Sequence, residues 1–160
     1  MQMTTEDVRQ FLYREARFLD DKEGNSWLAL YAPDAQFWRP AWDDDDTLFS
    51  DPAREISLIY YPHKGGLEDR VFRIRTERSS ATSLPEPRTS HNISNVEITE
   101  QSDGACKLRF KWLTLNLCYK TIDIYFGASH YTLNTLGDSP LITHKKVMLK
   151  NDFIHHAIDV

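Results

Sequence analysis

Cys106-Lys107-Leu108-Arg109-Phe110-Lys111-Trp112-Leu113-Thr114-Leu115-Asn116-Leu117-Cys118-Tyr119 is the stretch on which the fold turns. In its first half Cys106, Leu108, Phe110 and Trp112 alternate with Lys107, Arg109 and Lys111. A period of two sends successive side chains to opposite faces of a strand. The apolar set then changes phase to Leu113, Leu115 and Leu117. A one-residue shift of this kind reads as a bulge in a curved sheet, or as a strand apolar on both faces whose outer side another subunit covers. The two readings are compatible. They make Leu113, Leu115 and Leu117 the candidate subunit-interface residues.

Outward from this stretch the same period continues. Strands are expected over 91–99 and 121–135, separated from 106–119 by Ser102-Asp103-Gly104 and by a short turn at Lys120. After Gly137-Asp138-Ser139-Pro140 a last strand is expected over 141–158, broken near Asn151-Asp152. The N-terminal part reads differently. Thr4 with Asp7 approximates a capping box, and Val8, Phe11, Leu12, Glu15, Phe18 and Leu19 fall near helical spacing until Gly24-Asn25. Ser26 is expected to cap a second helix over 27–31. Strands over 35–41 and 56–61 follow, then a helix over 67–77 and a loop over 79–87. Helices first and a long meander afterwards predict an α+β fold, a curved, mostly antiparallel sheet wrapped round the N-terminal helices. A length of 160 residues fits one domain, 1–160, and 41% hydrophobic residues suffice for a core.

Charge and composition exclude several functions. A net charge of −5 offers no basic surplus for nucleic acid. No apolar run approaches the roughly 18 residues of a membrane span. Met1-Gln2-Met3-Thr4-Thr5-Glu6-Asp7 lacks an apolar signal core, so a cytoplasmic protein is expected. Cys106 and Cys118 read as small buried hydrophobes, since cytosolic thiols stay reduced.

Each chemical constellation has a plainer reading. Asp43-Asp44-Asp45-Asp46 lacks the interleaved spacing, glycine and terminal glutamate of a calcium loop and reads as a solvated acidic loop. His155 and His156 are adjacent, so on a strand they face opposite ways and do not converge on one metal. At least one is expected to pack or hydrogen-bond at an interface. His91 has the residue type of a general acid or base, but no partner carboxylate is identifiable by spacing, so a structural hydrogen bond is expected. His63 reads as exposed loop. A Rieske cluster needs two cysteines and two histidines, arranged as Cys-x-His and Cys-x-x-His, and neither cysteine has a histidine at either spacing. No glycine-rich nucleotide loop is present. No catalytic, cofactor-binding or metal-ligating residue is therefore expected on this chain.

Two long stretches carry a resemblance. One is Arg70-Val71-Phe72-Arg73-Ile74-Arg75-Thr76-Glu77-Arg78-Ser79-Ser80-Ala81-Thr82 with Arg88-Thr89-Ser90-His91-Asn92-Ile93-Ser94-Asn95-Val96; the other runs from Lys145-Lys146-Val147-Met148-Leu149-Lys150 to the final Val160. With Trp42-Asp43-Asp44-Asp45-Asp46 and Arg54-Glu55-Ile56-Ser57-Leu58-Ile59-Tyr60-Tyr61, they resemble the small (beta) subunit of bacterial aromatic-ring-hydroxylating dioxygenases, most closely the benzoate and anthranilate type. The resemblance implies a cystatin-like, nuclear-transport-factor-like cone. It further implies a large alpha subunit holding a Rieske 2Fe-2S cluster and a mononuclear Fe(II), commonly as alpha3beta3 with beta–beta contacts possible, fed from NADH through a reductase. Such a complex adds both atoms of O2 to an aromatic carboxylate, and the small subunit's implied role is structural.

The rival reading is a stand-alone isomerase or dehydratase of the same cone, with a buried carboxylate base. Isomerases of this fold resemble Asp-Ala-x-apolar-x-Asp-Pro, and the match here is Asp34-Ala35-Gln36-Phe37-Trp38-Arg39-Pro40. Arg39 stands where the base belongs and cannot take a proton at neutral pH. Trp38, if it faces inward, would also fill the cone. A binding module for a hydrophobic ligand meets the same objection.

Overall fold

The computed structural model describes residues 2–40, 57–80 and 87–151. The acidic run at 43–46 and the pair His155-His156 lie outside them. In chain order the elements are α1 (Thr5–Asp20), α2 (Gly24–Leu28), β1 (Tyr31–Pro40), β2 (Ser57–Tyr61), α3 (Gly65–Ser80), β3 (Arg88–Gln101), β4 (Ala105–Cys118), β5 (Thr121–Asn134) and β6 (Leu141–Leu149). The strands form one six-stranded sheet in the order β2-β1-β6-β5-β4-β3. Neighbours are antiparallel except β1 and β6, which are parallel. The chain thus lays down one edge with β1 and β2, crosses over through α3, and returns by the meander until β6 docks beside β1. This is the expected α+β arrangement.

The capping box is present. Thr4 Oγ1 accepts the Asp7 amide at 3.1 Å, and the Asp7 carboxylate accepts the Thr4 amide at 2.9 Å. One face of α1 buries Val8, Phe11, Leu12, Glu15 and Ala16 against the sheet. Inward residues of the strands, among them Phe37, Leu108, Phe110, Leu133 and Val147, complete this core. Each such side chain stabilises the fold by about 1.5–3 kcal/mol.

Several element boundaries differ from the sequence reading. The second helix begins at Gly24, so Ser26 lies inside it, and Tyr31 is already in β1. The Ile142 amide donates to the Leu30 carbonyl at 2.8 Å, and this pairing with β6 draws the chain out of the helix. α3 starts two residues early, where His63 Nδ1 accepts the Gly65 amide at 3.2 Å, and it runs on through Ser80. β3 begins at Arg88 because its polar first residues pair with β4, Arg88 opposite Leu117 and Ser90 opposite Leu115. β6 ends at Leu149. Beyond it the Asn151 side chain replaces the strand, accepting the Phe126 amide at 3.0 Å and donating to the Ile124 carbonyl at 2.9 Å.

The expected bulge in β4 is absent. β4 pairs with β5 without a shift from Ala105 opposite Asn134 to Cys118 opposite Thr121. The irregularities fall on β3 instead, between Ser94 and Glu97 and between Ile98 and Glu100, with Asn95 at φ 54°. β4 keeps its phase because its inward positions continue as Thr114 and Asn116, both buried. What changes along the strand is polarity, inside and outside together.

At Gly127 only glycine fits: a Cβ would lie 1.9 Å from the Met148 carbonyl oxygen and 2.9 Å from Trp112 Cζ2. The close approach of β6 to β5 depends on it.

Candidate functional site

The interior of the fold is occupied by an ion pair. Glu15 projects from the buried stripe of α1 and Lys145 from the inward side of β6; Lys145 Nζ donates to Glu15 Oε2 at 2.8 Å. The same oxygen accepts from Tyr31 OH at 2.8 Å and Trp27 Nε1 at 3.1 Å, and Oε1 accepts from Tyr131 OH at 2.6 Å. Lys145 Nζ also donates to Tyr31 OH at 3.0 Å. The rings of Tyr131, Trp27, Phe37 and Tyr31 stand 5.3, 5.5, 5.6 and 5.7 Å from that nitrogen, so the ammonium sits in an aromatic box.

Burial raises the Glu15 carboxyl, but the Lys145 charge and the three side-chain hydrogen bonds outweigh it and hold the group below the ordinary glutamate value. Burial pulls the Lys145 ammonium below the lysine range against the pull of Glu15. Burial, with the Glu15 charge, pushes both phenols well up, so they stay neutral donors. A carboxylate saturated by four donors is a poor proton acceptor. The adjoining cavity, about 30 Å³ and bordered by His91, Thr114 and Ser129, has room for about one water. Among the described residues the network ties α1 to β6, and the cavity beside it is too small for an aromatic substrate.

Arg39 faces inward and is buried, as its position in the isomerase-like motif requires. Trp38 does not fill the cone. It points outward, with Lys146 Nζ 4.8 Å from its ring centroid. The alternation of β1 puts Phe37 inside in its place, and the aromatic box round Lys145 supplies the filling.

His91 has a carboxylate partner after all. Its Nδ1 lies 2.5 Å from Asp20 Oδ1, its amide donates to both Asp20 oxygens at 3.1 and 3.0 Å, and Thr89 Oγ1 donates to Oδ1 at 3.0 Å. Burial raises the Asp20 carboxyl, but the hydrogen bonds from His91 outweigh it and hold the group low. The contact ties the last turn of α1 to β3, the structural role expected of His91. Its partner is 71 residues upstream, beyond the reach of any spacing argument.

Cys106 is buried and its thiol pushed up by that burial; Cys118 is partly buried, and both are free. They stand twelve residues apart on one strand, about 40 Å, too far to share a metal. Among the described residues no three His, Cys, Asp or Glu side chains group as a metal site.

The outward face of the sheet is the other distinctive surface. Leu113 lies opposite Phe126, Leu115 opposite Ile124 and Leu117 opposite Ile122. Directly opposed residues of an antiparallel pair share a face. Leu113, Phe126, Ile124 and Ile122 are 41, 46, 54 and 63% exposed, and Leu115 and Leu117 are half-buried between them. Tyr119, in the turn that joins the two strands, is exposed as well. Contiguous exposed apolar surface is uncommon on monomeric proteins. No helix among the described residues is long and apolar enough to cross a membrane.

Comparison with known proteins identifies the family. The family model for the ring hydroxylating beta subunit matches residues 14–156. The beta subunit of toluate 1,2-dioxygenase from Pseudomonas putida is 64% identical over 160 residues, covering 100% of this chain and 98% of that protein. The crystal structure of the beta subunit of benzoate 1,2-dioxygenase from Burkholderia mallei superposes with a TM-score of 0.87 at 49% identity, over 100% of this chain and 97% of the other. An NTF2-like protein with a cystatin-like fold from Novosphingobium aromaticivorans shares the fold alone, at a TM-score of 0.61 and 9% identity over 91% of this chain and 81% of that one. With a family model spanning most of its length and a full-length relative at this identity, the chain belongs to the ring-hydroxylating dioxygenase beta subunit family.

Proposed function

We propose that this chain is the non-catalytic small subunit of a Rieske non-haem iron terminal oxygenase that cis-dihydroxylates an aromatic carboxylate in aromatic catabolism. The substrate class is benzoate or a substituted benzoate such as toluate, with anthranilate the more distant case. The observation that carries this reading is full-length similarity to the toluate dioxygenase beta subunit. The large subunit supplies the Rieske cluster and mononuclear iron, which together activate O2 with electrons passed from NADH by a reductase. This chain supplies shape. Its interior is closed by the Glu15–Lys145 network, and its apolar outer face, centred on Leu113, Leu115 and Leu117, is covered by another subunit in an alpha3beta3 assembly. Two free cysteines suit the cytoplasm.

A stand-alone isomerase or ligand-binding protein of the same fold needs an interior pocket and an available base. The cavity of about 30 Å³ beside Glu15 and the saturation of that carboxylate weigh against both.

The test is the native mass and visible spectrum of the tagged chain purified from its own host. A complex several times the chain's mass, with a co-purifying large subunit and Rieske absorption bands, is expected. A colourless monomer or dimer from cells growing on the aromatic acid would overturn the reading.

A further inference from the structure

The outward face of the sheet has two halves of opposite character. Beside the apolar half lies an open groove of about 470 Å³ walled by Gln36 and Trp38 of β1, Lys107 of β4, His130 of β5, and His144 and Lys146 of β6. The chain carries a net charge of −5, yet the lining of this groove includes Lys107 and Lys146 and no Asp or Glu. Lys146 has no carboxylate partner among the described residues; its ammonium is held over the Trp38 ring, which leaves its N–H groups available. Among the described residues Lys107 and Arg109 pair with Glu100 and Glu97, each at 3.7 Å between exposed side chains. Such loose pairs contribute little and exchange readily for better acceptors. Burial pushes the His130 imidazole down, and Arg109 and Lys146 push it further, as a positive local field requires.

We propose that this groove receives a carboxylate-bearing segment of the large subunit, making the cationic and apolar halves of the outer face one continuous docking surface. This occupant depends on the small-subunit reading above. An apolar patch attracts without direction. Cations placed beside it fix the register and speed the encounter. The groove lies open along the sheet and does not enclose a small molecule as a ligand pocket does, which favours an acidic stretch of a partner over a free acid.

The test uses the complete oxygenase, made by mixing the purified chain with its separately purified large subunit and following association by light scattering across a sodium chloride series. Lys146→Glu and Lys107→Glu are compared with the wild type and with Arg9→Glu, a charge-matched change on α1. Far-UV spectra and melting confirm that each variant folds, and Lys146→Gln separates loss of charge from its reversal. Association by the two groove variants is expected to slow about tenfold at low salt and to lose most of its salt dependence, with Arg9→Glu unchanged. If the wild type assembles and the groove variants match it in rate and salt response, the groove is not a docking site. Salt-sensitive self-association of the isolated chain, lost in Lys146→Glu while assembly with the large subunit is unchanged, would reassign the groove to a second copy and overturn the proposal. Calorimetric binding of benzoate to the isolated chain, lost in Lys146→Glu with assembly unaffected, would overturn it in favour of a small ligand. A wild-type chain that never associates with the large subunit overturns the small-subunit reading and this proposal together.

Discussion

Glu15 and Lys145 meet at 2.8 Å in the centre of the fold, with side chains 5% and 1% exposed, and join α1 to β6 across 130 residues of sequence. Two charges taken out of water stabilise a fold only if each remains matched. Here the carboxylate has four donors and the ammonium an aromatic box.

Removing one partner strands the other. Lys145→Met alone is expected to cost about 3–5 kcal/mol, because Glu15 is left buried and uncompensated. Glu15→Leu with Lys145→Met should recover much of that loss, although Tyr31 and Tyr131 then lack an acceptor. Urea unfolding of the two single variants and the double variant measures this. Additive losses would show that the residues act separately.

The acid limb of stability follows from the same groups. The Glu15 and Asp20 carboxyls are held below their ordinary values of 4.5 and 3.8. Between folded and unfolded values the unfolded chain binds more protons, so the contribution is complete above about pH 5 and is lost as pH falls through the folded values. Asp20→Asn should therefore be less stable at pH 7 but lose less on acidification, and Glu15→Leu with Lys145→Met, which removes the pair without stranding a charge, should also lose less. Urea midpoints from pH 7 to pH 3 report it; parallel curves for all three proteins would assign the acid limb to other groups.

On the outer face, Leu115→Asp places a charge opposite Ile124. The isolated chain should retain its fold, with a loss of no more than about 1 kcal/mol, because the position is half-solvated already. Assembly with the large subunit should fail. A native mass identical to that of the wild-type complex would remove Leu113, Leu115 and Leu117 from the interface.

The β4–β5 hairpin carries strain. Tyr119 and Lys120 both adopt left-handed backbone, at φ 53° and 67°, in a two-residue turn that favours Asn-Gly. Replacing the pair with Asn-Gly should stabilise the isolated chain by about 1–2 kcal/mol. Loss of the exposed Tyr119 ring, at the end of the strand pair that carries the apolar face, should weaken assembly. Calorimetry of the chain and native mass of the complex separate the two effects.

At Gly127, a change to valine should be among the most damaging in the sheet, by about 3 kcal/mol or more, because the clash is with the Met148 backbone and no rotamer relieves it. A melting temperature within a few degrees of wild type would show that β6 can shift away.

The sequence by itself determined the succession of helices and strands, the capping box at Thr4 and Asp7, and the two-sided apolar character of 106–119. These rest on local periodicity and local hydrogen bonding, which act over a few residues. It also carried the family, through stretches too long and particular to arise by pattern alone. The Glu15–Lys145 pair was half visible, since Glu15 falls in the apolar register of its helix, but nothing near it identifies the partner. Only the tertiary structure decided that Asp20 belongs to His91, that Trp38 faces outward, that β4 keeps its phase while β3 takes the bulges, and that β6 lies parallel to β1. Each of these depends on contacts between segments distant in the chain, where the outcome is set by which faces find each other and no local spacing records it.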